Sequence, residues 1–138
     1  MTSLEPLAML FLAARQLAHN AHHLTTGVAF HEDHEFFGEL YGVYLDAYDG
    51  LVERMLGLKQ KVDLTSIAAD AAAKVKALKD GDKDDTTFFY RRLAATEENL
   101  REAITLVYSD TSIGTQNMLA ALADESEVRS YKIGRRLM

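Results

Sequence analysis

No stretch of this chain alternates apolar and polar residues with the period of two that a half-buried strand requires. Its apolar residues recur every third or fourth position instead, which restricts the fold to helices packed on one another. In the first such run Leu7, Leu10, Ala14, Leu17 and Ala21 share a face, while Met9, Leu12 and Ala13 make the other faces apolar as well. A helix apolar on several sides is expected to meet a second subunit in addition to its own core. Ser3 can cap it, and Pro6 falls in the first turn, where a missing N–H costs little. The apolar run from Pro6 to Ala14 is shorter than the ~18 residues of a membrane span. Glu5 precedes it where a signal would carry basic residues, so neither signal nor anchor is expected.

Thr25, Thr26 and Gly27 break the run, and a second helix is expected from about Phe30 to Leu58. Its stripe is Phe30, His34, Phe37, Tyr41, Tyr44, Tyr48, Leu51 and Met55, and its plainest use is core packing. Gly38, Gly42 and Gly50 interrupt it at about 1 kcal/mol each relative to alanine, so close approach of a neighbouring or partner helix is expected there. A short alanine-rich helix should follow from Leu64, capped by Asp63, to about Lys79, with Leu64, Ala68, Ala71, Val75 and Leu78 as its stripe. The acidic run from Asp80 to Asp85 begins like a calcium loop. The twelfth position is Arg91 counted from Asp80 and Leu93 counted from Asp82, where a calcium loop needs glutamate, so a solvated loop is expected. A further helix runs from about Thr87 to Ser109, with Phe89, Leu93, Thr96, Leu100, Ala103 and Val107 inside. After the break from Asp110 to Ser112 the last helix runs from about Ile113 to Arg135. The expected fold is all-α, a single domain over residues 1–138 with four long helices and a short one between the second and third.

All five histidines, His19, His22, His23, His31 and His34, fall within sixteen of the 138 residues. Such crowding points to a metal. With no cysteine in the chain, any metal must rest on nitrogen and oxygen donors, and a reducing, cytoplasmic setting is compatible. The net charge of −6 argues against nucleic-acid binding, which needs cations to neutralise phosphates. The only basic cluster, Lys132, Arg135 and Arg136, reads as cations offsetting a helix C-terminal dipole.

His34, Asp49 and Glu53 lie within a sector of roughly 100° on the second helix, yet His34 and Asp49 are about 22 Å apart along its axis. One chain therefore offers two half-sites. An antiparallel two-fold partner would bring His34 of one chain against Asp49 and Glu53 of the other, with His22 joining from the first helix. No glutamate lies three residues before a histidine, so the Glu-x-x-His pairs of an intrasubunit di-iron centre are absent. The zincin pattern is missing too, since His31 and His34 are one residue too close. His19 and His23, spaced i, i+4, are a separate candidate for zinc or nickel.

The segment from His22 through Gly27 and Phe30 to His34, followed by Asp49 and the pair Glu53-Arg54, resembles the signature of the Dps mini-ferritins. Asp110, Thr115, Leu119, Glu127 and Tyr131 are similar in placement to that family's C-terminal Asp, Thr, Leu, Glu and Trp. The resemblance implies a ferritin-like bundle in a hollow shell of twelve subunits. It implies a ferroxidase that binds iron between subunits, oxidises Fe(II) with hydrogen peroxide and stores the ferric product, protecting the cell from peroxide. By position His22, His34, Asp49 and Glu53 would be the catalytic ligands of one or two iron ions, with Glu53 the most direct and zinc as a surrogate metal.

Two departures stand out. Gly38 occupies the position of the family's aspartate four residues after the second histidine, which should weaken the site, with His31 or Glu35 as substitutes. His23 stands where the family usually has tryptophan. The lysine-rich tail with which some members bind DNA is also missing, so no appreciable DNA binding is expected. The alternative reading is a ferritin-like assembly with impaired or lost ferroxidase activity and a structural or interaction role.

Overall fold

The computed structural model describes residues 3–78 and 86–138. Five helices follow in order: α1 (Glu5–Leu24), α2 (Phe30–Gly57), α3 (Leu64–Lys76), α4 (Thr86–Tyr108) and α5 (Ile113–Arg136). The described residues contain no strand. The all-α architecture, with one short helix between the second and third long ones, agrees with the spacing of apolar residues. Helix α3 ends at Lys76, earlier than its alanine pattern suggests. Lys79 and the acidic run from Asp80 to Asp85 lie outside the described residues.

Local chemistry sets the helix ends. The Asp63 carboxylate accepts the Ser66 N–H at 3.0 Å and starts α3. The Ser112 hydroxyl accepts the Thr115 N–H at 3.2 Å and starts α5, each satisfying an N–H that has no intrahelical partner. At α1 the Ser3 hydroxyl takes the Glu5 N–H at 3.1 Å, although Leu4 holds the N-cap position. Between α1 and α2, Gly27 has φ +105°, a conformation that side-chain-bearing residues rarely adopt.

Helix α1 is the central element: it packs along α2, α3 and α4, while α4 also packs on α5. Its Leu7, Ala8, Phe11, Ala14, Ala18 and Ala21 are buried. From α2 come Phe37, Tyr44, Leu51 and Met55, from α4 Leu93 and Leu100, and from α5 Leu119 and Ile133, all fully enclosed. Each such large side chain contributes about 1.5–3 kcal/mol relative to exposure. Phe30, by contrast, lies largely at the surface, where the stripe had placed core. Gly50 meets the Met118 methyl of α5, 3.3 Å from where a Cβ would stand, whereas among the described residues no neighbouring element comes within 4 Å of that position at Gly42.

The basic C-terminus needs one correction. Arg136 does not merely offset a helix dipole: it grips buried Asp33 with two hydrogen bonds, Nε to Oδ1 at 3.1 Å and Nη2 to Oδ2 at 2.9 Å. Tyr90 donates to the same carboxylate at 2.6 Å, and the guanidinium lies 4.9 Å from the centre of the Tyr90 ring. This cluster ties the end of α5 to the start of α2 and α4. Burial, then the Asp33 hydrogen bond, pushes the Tyr90 hydroxyl well above its ordinary pKa, so it stays a donor.

Candidate metal centre

The connection between α1 and α2 is held to the start of α4 by threonines. The Thr25 and Thr86 hydroxyls hydrogen-bond at 2.6 Å, and Thr86 also donates to the Thr26 carbonyl at 3.1 Å. This turn folds α2 back along α1 and brings His22 and His34 together. His22 Nδ1 bonds the His34 carbonyl and His34 Nδ1 bonds the His22 carbonyl, each at 2.7 Å. A carbonyl can only accept, so each Nδ1 carries a proton, and in that tautomer of the imidazole the lone pair is on Nε2. Among the described residues no hydrogen bond reaches either Nε2. A backbone carbonyl on one nitrogen and a free lone pair on the other is the state of a metal-ligating imidazole.

The two rings stack, with centroids 3.8 Å apart and planes 17° apart. Phe30 extends the stack beyond His34 at 5.0 Å, and Tyr41 meets His22 edge-on at 5.5 Å. Nearly parallel rings cannot aim both in-plane lone pairs at one ion.

His22 lies against Gly38. A Cβ there would stand 3.1 Å from its Nδ1 and 3.2 Å from its Cε1. An aspartate there, as the family resemblance calls for, would require the His22 ring to give by a few tenths of an ångström. His31 and Glu35 are exposed, and His31 packs its ring on the edge of Phe30 at 5.5 Å. Asp49 and Glu53 are likewise exposed, farther along α2. Among the described residues no three His, Cys, Asp or Glu side chains of one chain converge as a metal site. One chain supplies a histidine pair and, well apart, a pair of outward carboxylates.

The bundle interior holds a polar centre that apolar spacing does not reveal. Glu97 is fully buried on α4, beside Thr96, which the stripe had placed inside. Arg129 Nε donates to its Oε2 at 2.6 Å and Nη2 to Oε1 at 3.2 Å. Ser126 donates to Oε1 at 2.7 Å and Tyr44 to Oε2. Arg101 extends the network to Ser126 and Ser130 at 2.9 and 2.6 Å. With both oxygens occupied by protein donors, Glu97 is no metal ligand. Burial and the Glu97 charge push Tyr44 well above its ordinary pKa. The only advance signal was Ser126 and Arg129 at helical spacing on α5, which also fits a surface.

No family model matches the chain, and no curated protein matches it in sequence. Solved structures do match. Antigen TpF1 from Treponema pallidum superposes with a TM-score of 0.79 at 17% identity, over 97% of this chain and 90% of that one. The ferritin-like fold is shared. Helicobacter cinaedi CAIP superposes with a TM-score of 0.75 at 19% identity, over 99% of this chain and 100% of that one. At such identities the likeness concerns the ferritin-like path of the helices and leaves the chemistry to this chain's own residues. No described helix is long and apolar enough to cross a membrane.

Proposed function

We propose that this chain is the subunit of a mini-ferritin whose iron-oxidising site is shared between two copies. His22 and His34 of one subunit and Asp49 and Glu53 of its partner would receive Fe(II) as substrate, with His31 or Glu35 substituting for the aspartate that Gly38 replaces. The observation that carries the reading is the histidine pair itself: two imidazoles held by reciprocal backbone bonds, each with Nε2 free. The carboxylates supply hard oxygen donors suited to iron. Two Fe(II) ions each give up one electron, the O–O bond of hydrogen peroxide breaks, and two protons are taken up to form two waters. The ferric product is then stored inside a closed shell of subunits, twelve by analogy with the resembled family.

Gly38 favours a second reading, a ferritin-like assembly with impaired or lost oxidation that serves a structural or interaction role. One titration separates them. Fe(II) added with peroxide to the purified protein is expected to give a ferric absorbance that saturates while the iron stays soluble. Precipitation at the rate of protein-free buffer would favour the second reading. Size exclusion of the same sample should show an oligomer, because a site divided between chains cannot form in a monomer.

A further inference from the structure

The last two turns of α1 carry two histidines, His19 and His23, that the iron site does not use. We infer that His19 and His23 form a separate nitrogen-donor site for borderline divalent ions such as Ni2+, Zn2+ and Cu2+, with water completing the coordination. One turn apart on a helix, they project from the same face, a spacing that zinc sites exploit. Their ring centroids are 4.7 Å apart, with planes at 46°. An imidazole nitrogen binds at about 2.0–2.1 Å, which puts each centroid about 3.2 Å from the ion. Two cis ligands then have centroids about 4.5–5.2 Å apart. The His19–His23 pair already has that separation. The stacked His22–His34 pair at 3.8 Å falls short of it, and His19 and His22 at 6.4 Å exceed it.

Tyr41 covers one side of the His19 ring, with centroids 4.4 Å apart, so that ring has little freedom to lose on ligation. His23 is exposed and can turn towards the ion. Arg15 lies one turn before His19 and its charge opposes a dication, which holds the affinity below that of a three-ligand site. With two nitrogens and no carboxylate, the site should follow the order Cu2+ above Ni2+ and Zn2+, and these above Fe2+ and Mn2+. Its donors differ from those of the iron site, and it needs no partner subunit.

The test is calorimetric titration of Ni2+ into the full chain and into His19→Gln, His23→Gln, His22→Gln and His34→Gln, with circular dichroism to verify the fold. His23→Gln touches no core, so it remains informative if His19→Gln proves unstable. Either substitution is expected to weaken one class of Ni2+ binding by roughly tenfold or more, while His34→Gln leaves that class within about twofold and His22→Gln, whose ring lies 5.4 Å from that of His23, weakens it less than either. Electron paramagnetic resonance of Cu2+ should show two equatorial imidazole nitrogens in the parent and one in His23→Gln. Ni2+ affinity unchanged in His23→Gln, or abolished equally in His22→Gln, would overturn the assignment. Neither result depends on iron oxidation, so this site and the iron site stand or fall separately.

Discussion

Arg129→Ala is expected to destabilise the folded chain by about 3–5 kcal/mol, as removing one member of a buried ion pair does. Glu97 is fully enclosed and Arg129 supplies two of its four hydrogen bonds. Ser126 and Tyr44 alone would leave a buried carboxylate without a counter-charge. Burial opposes the charge on Arg129 too, and the Glu97 hydrogen bond and charge, with smaller help from Tyr44 and Glu125, together outweigh it. The guanidinium also packs 5.2 Å from the centre of the Tyr44 ring, and the alanine side chain would leave that ring face bare. Urea unfolding at one fixed protein concentration measures the effect, since any oligomer couples stability to concentration. The double variant Glu97→Gln with Arg129→Met should recover most of the stability, because the charge is then gone from both sides. A single-variant effect under about 1 kcal/mol would show that water or a rearranged network replaces the arginine.

Gly38→Asp, which adds the carboxylate that the family pattern calls for, is expected to weaken metal binding while His22 is present. The new Cβ would stand 3.1 Å from His22 Nδ1, the atom that anchors the ring to the His34 carbonyl. A shift of a few tenths of an ångström strains one of the two reciprocal bonds, and full loss of a hydrogen bond that orients a ligand, typically about 10–100-fold in metal affinity, is the upper bound on the effect. Gly38→Ala separates crowding from charge. Alanine gains about 1 kcal/mol of helix propensity, so both variants should stay folded while the His22 ring signals shift in NMR. Tighter Fe(II) binding by Gly38→Asp with unchanged His22 signals would mean that the site takes the new side chain without displacing the ring.

The helices were legible because apolar spacing at threes and fours is a property of local sequence, as was the cap at Asp63. The Glu97 centre was not legible, because charged residues inside a bundle look like surface until partners arrive from α2 and α5. Arg136 was misread for a similar reason: Asp33, its partner, lies 103 residues away. At the candidate centre, sequence placed His22 and His34 on one side of the bundle. The stacking of their rings and the reciprocal carbonyl bonds depend on how the Thr25–Thr86 hydrogen bond sets the turn. Gly38 looked like a missing ligand on sequence alone, and the fold makes it the floor beneath His22.

The central claim is that two subunits share one site, and complementation addresses it directly. His34→Ala removes one imidazole and its bond to the His22 carbonyl, while Glu53→Ala removes a carboxylate on the same helix, more than about 22 Å away along its axis. Each variant alone is expected to oxidise Fe(II) poorly with peroxide, because both sites of a two-fold pair carry the lesion. Co-expressed with different tags and purified through both, the mixed pair holds one site with both lesions and one with neither. The account predicts that the mixed species regains activity well above either single variant. A folded mixed species no more active than the single variants would contradict it.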